Sequence, residues 1–394
     1  MSPSFSTCRF ENAVGGEALA LYGLRQRVVA RTPSDLPRAM DAIEMSRRQG
    51  YWTALLLSYS LGEWLESSPI QPVGPAFARY GGAPRLVALV FDRAETEPIW
   101  RPSALHGSAE ILSVRPRMHL ARYKQSLHRI QEWIDAGNVY QVNFTFPMDV
   151  AITGCPAALY RELIDRHPAA HAAYICDEGR HILSFSPELF LRREGARLTS
   201  RPMKGSAPRH VDPFQDEQAA RALRASVKDR AENAMIVDLM RNDMGNIARL
   251  GSVSVSDLFE LERYPSIWTM TSTIHADVGQ ATLLDILRAL FPCGSVTGAP
   301  KIAAMRYIRA LESWNRGLYC GSIGWMAPNG DFSLNVAIRT MVIEDSGQGV
   351  YGVGGGIVAD SDPDLEWLEC QWKSRILRTS DGSVWSRDWR AAAA

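Results

Sequence analysis

The chain has 394 residues with 43 basic and 43 acidic side chains, so its formal net charge is zero, and 46% of its residues are hydrophobic. Such a chain can bury a large core, and its length alone predicts two or three domains. The balanced charge argues against a nucleic-acid-binding or membrane-surface protein, because such proteins typically carry an excess of basic residues.

The N-terminus and the cysteines predict a cytoplasmic protein. The first residues lack the cationic region and apolar run of a signal peptide, and no stretch approaches the roughly 18 apolar residues of a membrane span. The cysteines are scattered without Cys-x-x-Cys spacing, at Cys8, Cys155, Cys176, Cys293, Cys320 and Cys370. We therefore expect free, buried thiols in a reducing compartment.

Periodicity predicts the secondary structure of the first half of the chain. Residues 35–49 have helical spacing, the apolar runs 51–61 and 84–93 predict strands, and a linker follows over 95–107. Further along, 116–137 predicts a helix that stops at a glycine. Two later stretches predict a strand (139–150) and a strand followed by a hairpin (181–202).

The second half predicts helices first and strands afterwards. The longest helical pattern covers 213–249, as one helix or as two consecutive helices. Two helices (282–291 and 300–313) then flank a glycine-rich turn, three strands follow (318–328, 332–345 and 349–360), and a last helix (362–377) starts behind Asp-Pro. Strands in hairpins with helices grouped between them predict an α+β fold.

Lys204 lies in a stiff cationic stretch, TSRPMKGSAPR (199–209), between Arg201 and Arg209. Loops rich in Pro and Gly often carry solvated surface lysines, which is one interpretation. The other is a reactive amine. Neighbouring guanidinium groups and partial burial both favour the neutral form of a lysine, which is the nucleophilic form.

Three sets of carboxylates could take part in chemistry. Glu366, Glu369 and Lys373 share one face of the last helix, and Glu232 begins an apolar run of the long helical segment. They form either surface ion pairs such as Glu369–Lys373 or a site for a hard cation such as Mg²⁺. Glu188 lies among phenylalanines at a strand–turn junction, where desolvation would keep it protonated as an acid.

The glycine clusters do not match nucleotide-binding motifs. GSVTGAPK (294–301) lacks the spacing of a P-loop, and GVGGG (352–356) is followed by no predicted helix. Both segments offer bare backbone amides, and the first opens a helix, whose N-terminus favours an anion. We therefore expect anion-binding loops rather than a nucleotide site.

Seven motifs in order resemble the chorismate-utilising enzymes, over roughly residues 115–378. They are SFSPELF, RPMKGSAPR, AENAMIVDLMRND, GSVTGAPKIAAM, RGLYCGSIGW, NVAIRT and GGGIVADSDPDLEWLECQWK. The resemblance implies two large antiparallel β-sheets packed face to face with helices outside. It also implies an N-terminal portion (1–110) packed on a catalytic core (111–380), with a tail (381–394), as one structural unit.

Two positions indicate the branch of the family. Isochorismate and salicylate synthases carry a water-activating lysine where this chain has Gln141, and anthranilate synthases usually carry alanine where it has Lys204. The chain thus resembles the branch that forms 4-amino-4-deoxychorismate for 4-aminobenzoate and folate. Anthranilate formation, an antibiotic pathway that makes aminodeoxychorismate and a non-catalytic chorismate-binding regulatory subunit remain the alternatives.

The resemblance also implies roles for individual residues. Lys204 would attack C2 of chorismate while Glu188, as general acid/base, protonates the departing C4 hydroxyl. Mg²⁺ would be held by Glu232 and Glu369, with Glu366 as an outer ligand. The implied substrate contacts are Thr297 and Gly298 for the ring carboxylate, Tyr319, Arg339 and the glycine loop at Gly355 for the enolpyruvyl carboxylate, and Lys373 as a further cation.

The implied nitrogen source is ammonia from a separate glutamine amidotransferase (component II), because the chain shows no Cys–His–Glu glutaminase region. Three positions depart from the common family pattern. Thr269 replaces a histidine that several relatives carry, Cys293 stands where glycine is common, and Ser206 stands where threonine is common. No histidine role therefore transfers to Thr269, and neither of the other two changes touches a charged role.

Overall fold

The structure, a computed structural model, describes residues 8–66, 82–100, 107–264 and 267–379. Its helices are α1 (Leu36–Arg48), α2 (Gly62–Leu65), α3 (Leu120–Asp135), α4 (Pro156–Arg166), α5 (Pro213–Ala225), α6 (Val227–Gly245), α7 (Leu283–Leu290), α8 (Lys301–Leu311) and α9 (Pro363–Lys373). Within these ranges no helix has both the length and the apolar character needed to cross a membrane. The predicted tail at 381–394 lies outside the described residues.

The strands are numbered in chain order. They are β1 (Cys8–Asn12), β2 (Glu17–Ala30), β3 (Trp52–Leu57), β4 (Leu86–Pro98), β5 (Ala109–Pro116), β6 (Gln141–Gly154), β7 (His171–Asp177), β8 (Arg180–Ser186), β9 (Leu189–Glu194), β10 (Arg197–Arg201), β11 (Met203–Pro208), β12 (Ser254–Arg263), β13 (Ile267–Asp277), β14 (Gly298–Ala299), β15 (Ser322–Met326), β16 (Phe332–Asn335), β17 (Thr340–Glu344) and β18 (Gln348–Ile357).

The predicted helical segment 213–249 contains two helices. Ser226 ends α5 with an extended backbone, and its hydroxyl then accepts a hydrogen bond from the amide of Asp229 at the start of α6. A serine in this position satisfies an amide that the first helical turn leaves unpaired. Asp362 caps α9 in the same way, by accepting from two backbone amides of its first turn.

Two predictions in the first half were wrong in their bounds. Residues 51–61 are not one strand, because β3 ends at Leu57 and a 3-10 turn leads from there into α2. The linker predicted over 95–107 is shorter, because β4 continues to Pro98 in register with Glu17 of β2.

Strands β7 and β13 were not predicted, because they are buried on both faces and their residues do not alternate.

All described strands join one 18-stranded antiparallel sheet. The order is β5–β6–β18–β17–β8–β7–β1–β2–β4–β3–β15–β16–β9–β10–β13, with β11 and β12 both paired to β13 and β14 paired to β6. The predicted α+β class with large antiparallel sheets is confirmed. The two sheets expected from the resemblance are two parts of this single sheet, which we call its arms. The arms join where β1 pairs with β2.

The two arms pack against each other across an apolar core. One buried cluster joins β3, β4 and β15 of one arm to β7 and β8 of the other, through Ala54, Leu56, Val87, Leu89, Phe91, Ala173, Ile175, Ile182 and Ile323. Leu55 and Leu57 alternate with these residues along β3 and belong to the larger cluster, together with Ile43 of α1. One face of β3 therefore packs toward the other arm of the sheet, and its opposite face packs in the cluster that includes α1.

The N-terminal strands are part of the same ladder. β1 pairs with β7, and β3 pairs with β15 over residues 53–57. Both partners belong to the part of the chain that carries the seven motifs. The division of the chain near residue 110 stays a prediction.

Candidate active site

A cavity of about 470 Å³ lies between α6, α9, β11 and β18. Most residues predicted for the site line it, namely Lys204, Glu188, Tyr319, Arg339, Gly355, Lys373, Glu232 and Glu369. The structure thus gathers around one cavity residues that are separated by up to 185 positions in sequence, from Glu188 to Lys373.

Thr297 and Gly298 are not brought to this wall. The Thr297 hydroxyl donates to the carbonyls of Cys293 (3.1 Å) and Gly294 (3.2 Å), and Gly298 pairs with Val142 in the short β14–β6 ladder. Their neighbours Ser295 and Val296 line the cavity instead. A role for Thr297 and Gly298 in holding a ring carboxylate stays a prediction.

One wall of the cavity is the strand β18, which confirms the strand predicted over 349–360, whereas the resemblance implied a glycine loop at Gly355. The segment 352–356 pairs continuously with β6. A Cβ at Gly356 would lie 2.9 Å from both Lys204 Nζ and Gln141 Nε2, and one at Gly355 would lie 3.0 Å from Glu366 Oε2. At both positions the ends of functional side chains lie directly against the strand backbone.

Lys204 lies at an irregularity in the pairing of β11 with β13. The register shifts between Met203 and Ser206, and Gly205 adopts a φ of +86°. A bulge of this kind changes the direction of the side chains next to it. Lys204 is half-buried and lines the cavity, so a fully solvated surface lysine is excluded.

The two arginines near Lys204 in sequence face elsewhere. Arg201 is held by Glu260 and Glu262 of β12, and Arg209 by Asp216 of α5 at 2.7 Å. The prediction that these guanidinium groups surround the Lys204 amine was therefore wrong, because nearby carboxylates bind both. The charged groups near the amine are the carboxylates of Glu188, Glu232 and Glu369.

Glu188 is buried between β8 and β9, with 4% of its surface exposed. Burial raises the pKa of its carboxyl to about 7, against the opposing effects of the Ser295 hydroxyl and the Lys204 ammonium group. The Ser295 hydroxyl donates to Oε1 at 2.8 Å. The expected desolvation is confirmed, and the group can exchange a proton near neutral pH.

We expect Ser295→Ala to raise the pKa of Glu188 above its value of about 7, because the variant removes a hydrogen bond that favours the ionised form. Infrared titration of the protonated carboxyl band would measure the shift, with Glu188→Gln identifying the band. The midpoint moves to higher pH in the variant. An unchanged or lower midpoint contradicts the role of Ser295.

Glu232 of α6 and Glu366 and Glu369 of α9 contribute three carboxylates to the cavity lining. Burial raises the pKa of Glu232 and of Glu366, and the Glu369 charge adds to both shifts. Lys373 lowers the pKa of Glu369 through an ion pair of 2.8 Å. The predicted ion pair between Glu369 and Lys373 is therefore present, but both residues line the cavity.

These oxygens fit Mg²⁺ in chemistry, because hard carboxylate donors that repel one another gain from a shared divalent cation. The described residues contain no group of three or more His, Cys, Asp and Glu side chains close enough to form a complete metal site. Water and a ligand would therefore have to supply the remaining donors. Mg²⁺ binding stays a prediction.

Arg339 and Tyr319 also line the cavity. Among the described residues, the Arg339 guanidinium has no hydrogen-bond or ion-pair partner, and burial lowers its pKa. Its backbone φ of +50° is uncommon for a residue with a side chain, and such conformations cluster at functional sites. An unpaired guanidinium that faces a cavity is a ready partner for a carboxylate.

Sequence reasoning missed Ser295 and Lys228 as cavity residues, and it noted Thr269 and Gln141 only as positions that distinguish members of the family. Ser295 and Lys228 line the cavity, and Thr269 lines it with a buried hydroxyl that has no partner among the described residues. The Gln141 amide is buried and equally unpartnered there, next to the Lys204 amine. Ser295 could have been found from its place within GSVTGAPK, whereas the unpaired groups depend on contacts that no spacing reveals.

Residues 85–379 match the family model described as chorismate binding enzyme. Aminodeoxychorismate synthase component 1 of Salmonella typhimurium is 41% identical over 262 residues, which cover 66% of this chain and 58% of that protein. Anthranilate synthase component 1 of Streptomyces coelicolor is 38% identical over 262 residues, which cover 66% and 51%. The chain thus matches little more than half the length of these relatives.

The fold is similar to that of anthranilate synthase component I from Streptococcus pneumoniae, with a TM-score of 0.77 and 22% identity over 94% of this chain and 92% of that chain. The family match extends over most of this chain and includes every residue that lines the cavity. This chain therefore belongs to the chorismate-binding enzyme family.

Proposed function

We propose that this chain aminates chorismate at C4 to give 4-amino-4-deoxychorismate, for the formation of 4-aminobenzoate and folate. The observation that carries the proposal is the position of Lys204, whose amine lies in the cavity close to the carboxyl of Glu188. Relatives named aminodeoxychorismate synthase component 1 support it.

In the proposed reaction, the neutral Lys204 amine attacks C2 of chorismate and the C4 hydroxyl leaves as water. Glu188 supplies the proton for this departure, since its pKa of about 7 keeps much of it protonated near neutral pH. Ammonia then attacks C4, the bond between Lys204 and C2 breaks, and the lysine is released. Covalent catalysis thus divides one difficult substitution into two steps.

The other cavity residues hold the substrate in this proposal. Arg339 and Tyr319 bind the enolpyruvyl carboxylate next to Gly355, and Lys373 presents a further cation. Glu232 and Glu369 would hold Mg²⁺, with Glu366 beside them. When bound, Mg²⁺ would supply positive charge for the ring carboxylate.

Ammonia comes, in this proposal, from a separate glutamine amidotransferase subunit. The name "component 1" of the relatives supports a second component. The main rival is anthranilate formation, which the Streptomyces coelicolor relative supports. A subunit that binds chorismate without turnover is disfavoured because Glu188, Lys204, Glu232 and Glu369 are all on the cavity wall.

Mass spectrometry of the products tests the proposal. The chain is incubated with chorismate, Mg²⁺ and an ammonium salt. A product that keeps the enolpyruvyl group and carries nitrogen in place of the hydroxyl supports amination. Anthranilate with pyruvate would establish the rival, and chorismate binding without any product would establish the non-catalytic alternative.

We expect Glu232→Gln to weaken Mg²⁺ binding by roughly tenfold or more, because it removes one of the few charged donors available to the ion. Isothermal titration with Mg²⁺ and a chorismate analogue measures the effect without turnover. Glu217→Gln, an exposed residue of α5, is the matched control and keeps wild-type affinity. Equal affinity in both variants would remove Glu232 from the metal site.

A further inference from the structure

A second cavity of about 390 Å³ adjoins the candidate active site. It lies between the ends of β3 and β4 on one side and β8, β17 and β18 on the other. Its wall shares Tyr319 and Gly352 with the active-site cavity. None of the roles assigned above uses this second cavity.

The second cavity runs from the surface to the back of the active site. Its outer end includes Ala83 and Ser313, which are exposed, whereas Tyr319 at its inner end is 8% exposed. A Cβ at Gly352 would overlap the Tyr319 ring, so the ring lies directly on the backbone of β18. The Tyr319 ring and the Gly352 backbone therefore lie between the two cavities.

The wall of the second cavity is suited to a small neutral molecule that accepts a hydrogen bond. The indole N–H of Trp314, whose ring lies 5.9 Å from that of Tyr319, is buried and has no acceptor among the described residues. Ammonia has a lone pair that can accept from it, whereas the ammonium ion has only donors.

The charged residues of the wall also favour a neutral molecule. Its described residues include Arg117, Arg180 and Arg316 and no Asp or Glu. The carboxylates that pair with these arginines lie outside the wall. These ion pairs neutralise the guanidinium groups, and the wall offers an entering cation no carboxylate to pair with, so a cation would be buried without a partner. The wall thus favours ammonia over ammonium.

We infer that the second cavity is the route by which ammonia reaches the back of the active site, past the ring of Tyr319. This inference rests on the proposed amination of chorismate. It leaves the mouth between α6 and α9, with its carboxylates, to chorismate and the metal ion. Nitrogen and substrate then arrive from opposite sides of Lys204.

Two substitutions narrow the route at different depths. Val350→Phe fills the inner part from β18, where Val350 is half-buried and pairs with Val342. Ser313→Trp blocks the outer end at an exposed position, where a large side chain does not disturb the core. Ser346→Trp, in an exposed turn away from the cavity, is the matched control.

Initial rates are measured at saturating chorismate and Mg²⁺ over a range of ammonium salt at fixed pH, and chorismate affinity is measured separately by calorimetry. We expect kcat/KM for ammonia to fall about tenfold in Val350→Phe and in Ser313→Trp, with chorismate affinity unchanged. The Ser346→Trp control keeps the wild-type value.

Two other results overturn the inference in different ways. If the wild-type chain aminates chorismate and both narrowing variants keep its kcat/KM for ammonia, the route is wrong and the proposed function stands. If the folded wild-type chain binds chorismate and forms no aminated product, the proposed function and the route fall together.

Discussion

Lys204→Ala is expected to reduce the formation of 4-amino-4-deoxychorismate by roughly 10³-fold or more, while chorismate still binds. The variant removes the cavity amine that lies near Glu188 and against Gly356. Lys373, a further lysine of the cavity lining, is held by Glu369 and by the carbonyl of Gly354 at 2.9 Å. It is therefore poorly placed to replace the missing nucleophile.

Intact-protein mass spectrometry separates a lost nucleophile from a misfolded site. With chorismate and no ammonia, the wild-type chain should gain the mass of chorismate less one water, and Lys204→Ala should gain none. Lys124→Ala, which removes a partly exposed amine on α3, is the control and keeps both adduct and turnover. Wild-type turnover by Lys204→Ala would rule out the covalent step.

Glu188→Gln is expected to lower kcat by roughly 10²- to 10⁴-fold, because the amide cannot deliver a proton to the leaving hydroxyl. The substitution keeps the shape of the side chain and an oxygen that can accept from Ser295. Steady-state kinetics at a constant concentration of neutral ammonia measure the loss. A kcat within a few fold of wild type would assign the acid to another group.

The same variant is expected to be more stable than the wild-type chain at high pH. Burial raises the pKa of Glu188 from 4.5 in the unfolded chain to about 7 in the fold, so ionisation opposes folding. The gain is absent below pH 4.5, grows between the two values, and reaches roughly 3 kcal/mol above pH 7.

Denaturant unfolding at several pH values measures this gain, and the Ser295→Ala variant gives the reference for a lost hydrogen bond. A variant that is less active and more stable cannot owe its lost activity to unfolding. A stability difference that does not vary with pH would mean that Glu188 does not titrate in the fold.

Local patterns were sufficient for much of the secondary structure and for the residue types of the site. The period of α3 and the start of α9 behind Asp362 depend on residues within one or two helical turns, so sequence reveals them. The motifs around Glu188 and Lys204 likewise identify side chains with suitable chemistry, because each motif is one contiguous stretch of the chain.

The bounds of helices and strands and the surroundings of individual side chains were less predictable from the sequence. Arg201 and Arg209 illustrate the reason. Both are near Lys204 in sequence, yet carboxylates of Glu260, Glu262 and Asp216 hold their guanidinium groups elsewhere. The guanidinium that lines the cavity comes from Arg339, which is 135 positions from Lys204. An electrostatic environment depends on such distant contacts, and no spacing rule contains them.

The sequence by itself determined the α+β class, the family resemblance and the identity of the acid, the amine and the carboxylates expected to bind metal, because each rests on local periodicity or on an ordered motif. Only the tertiary structure decided that Thr297 and Gly298 lie off the cavity wall, that Tyr319 and Gly352 lie between two cavities, and that burial raises the pKa of Glu188 to about 7. These properties arise from packing between strands that are far apart in the chain. The exposure of a side chain to water and the distance between two charges are fixed only when such strands pack together.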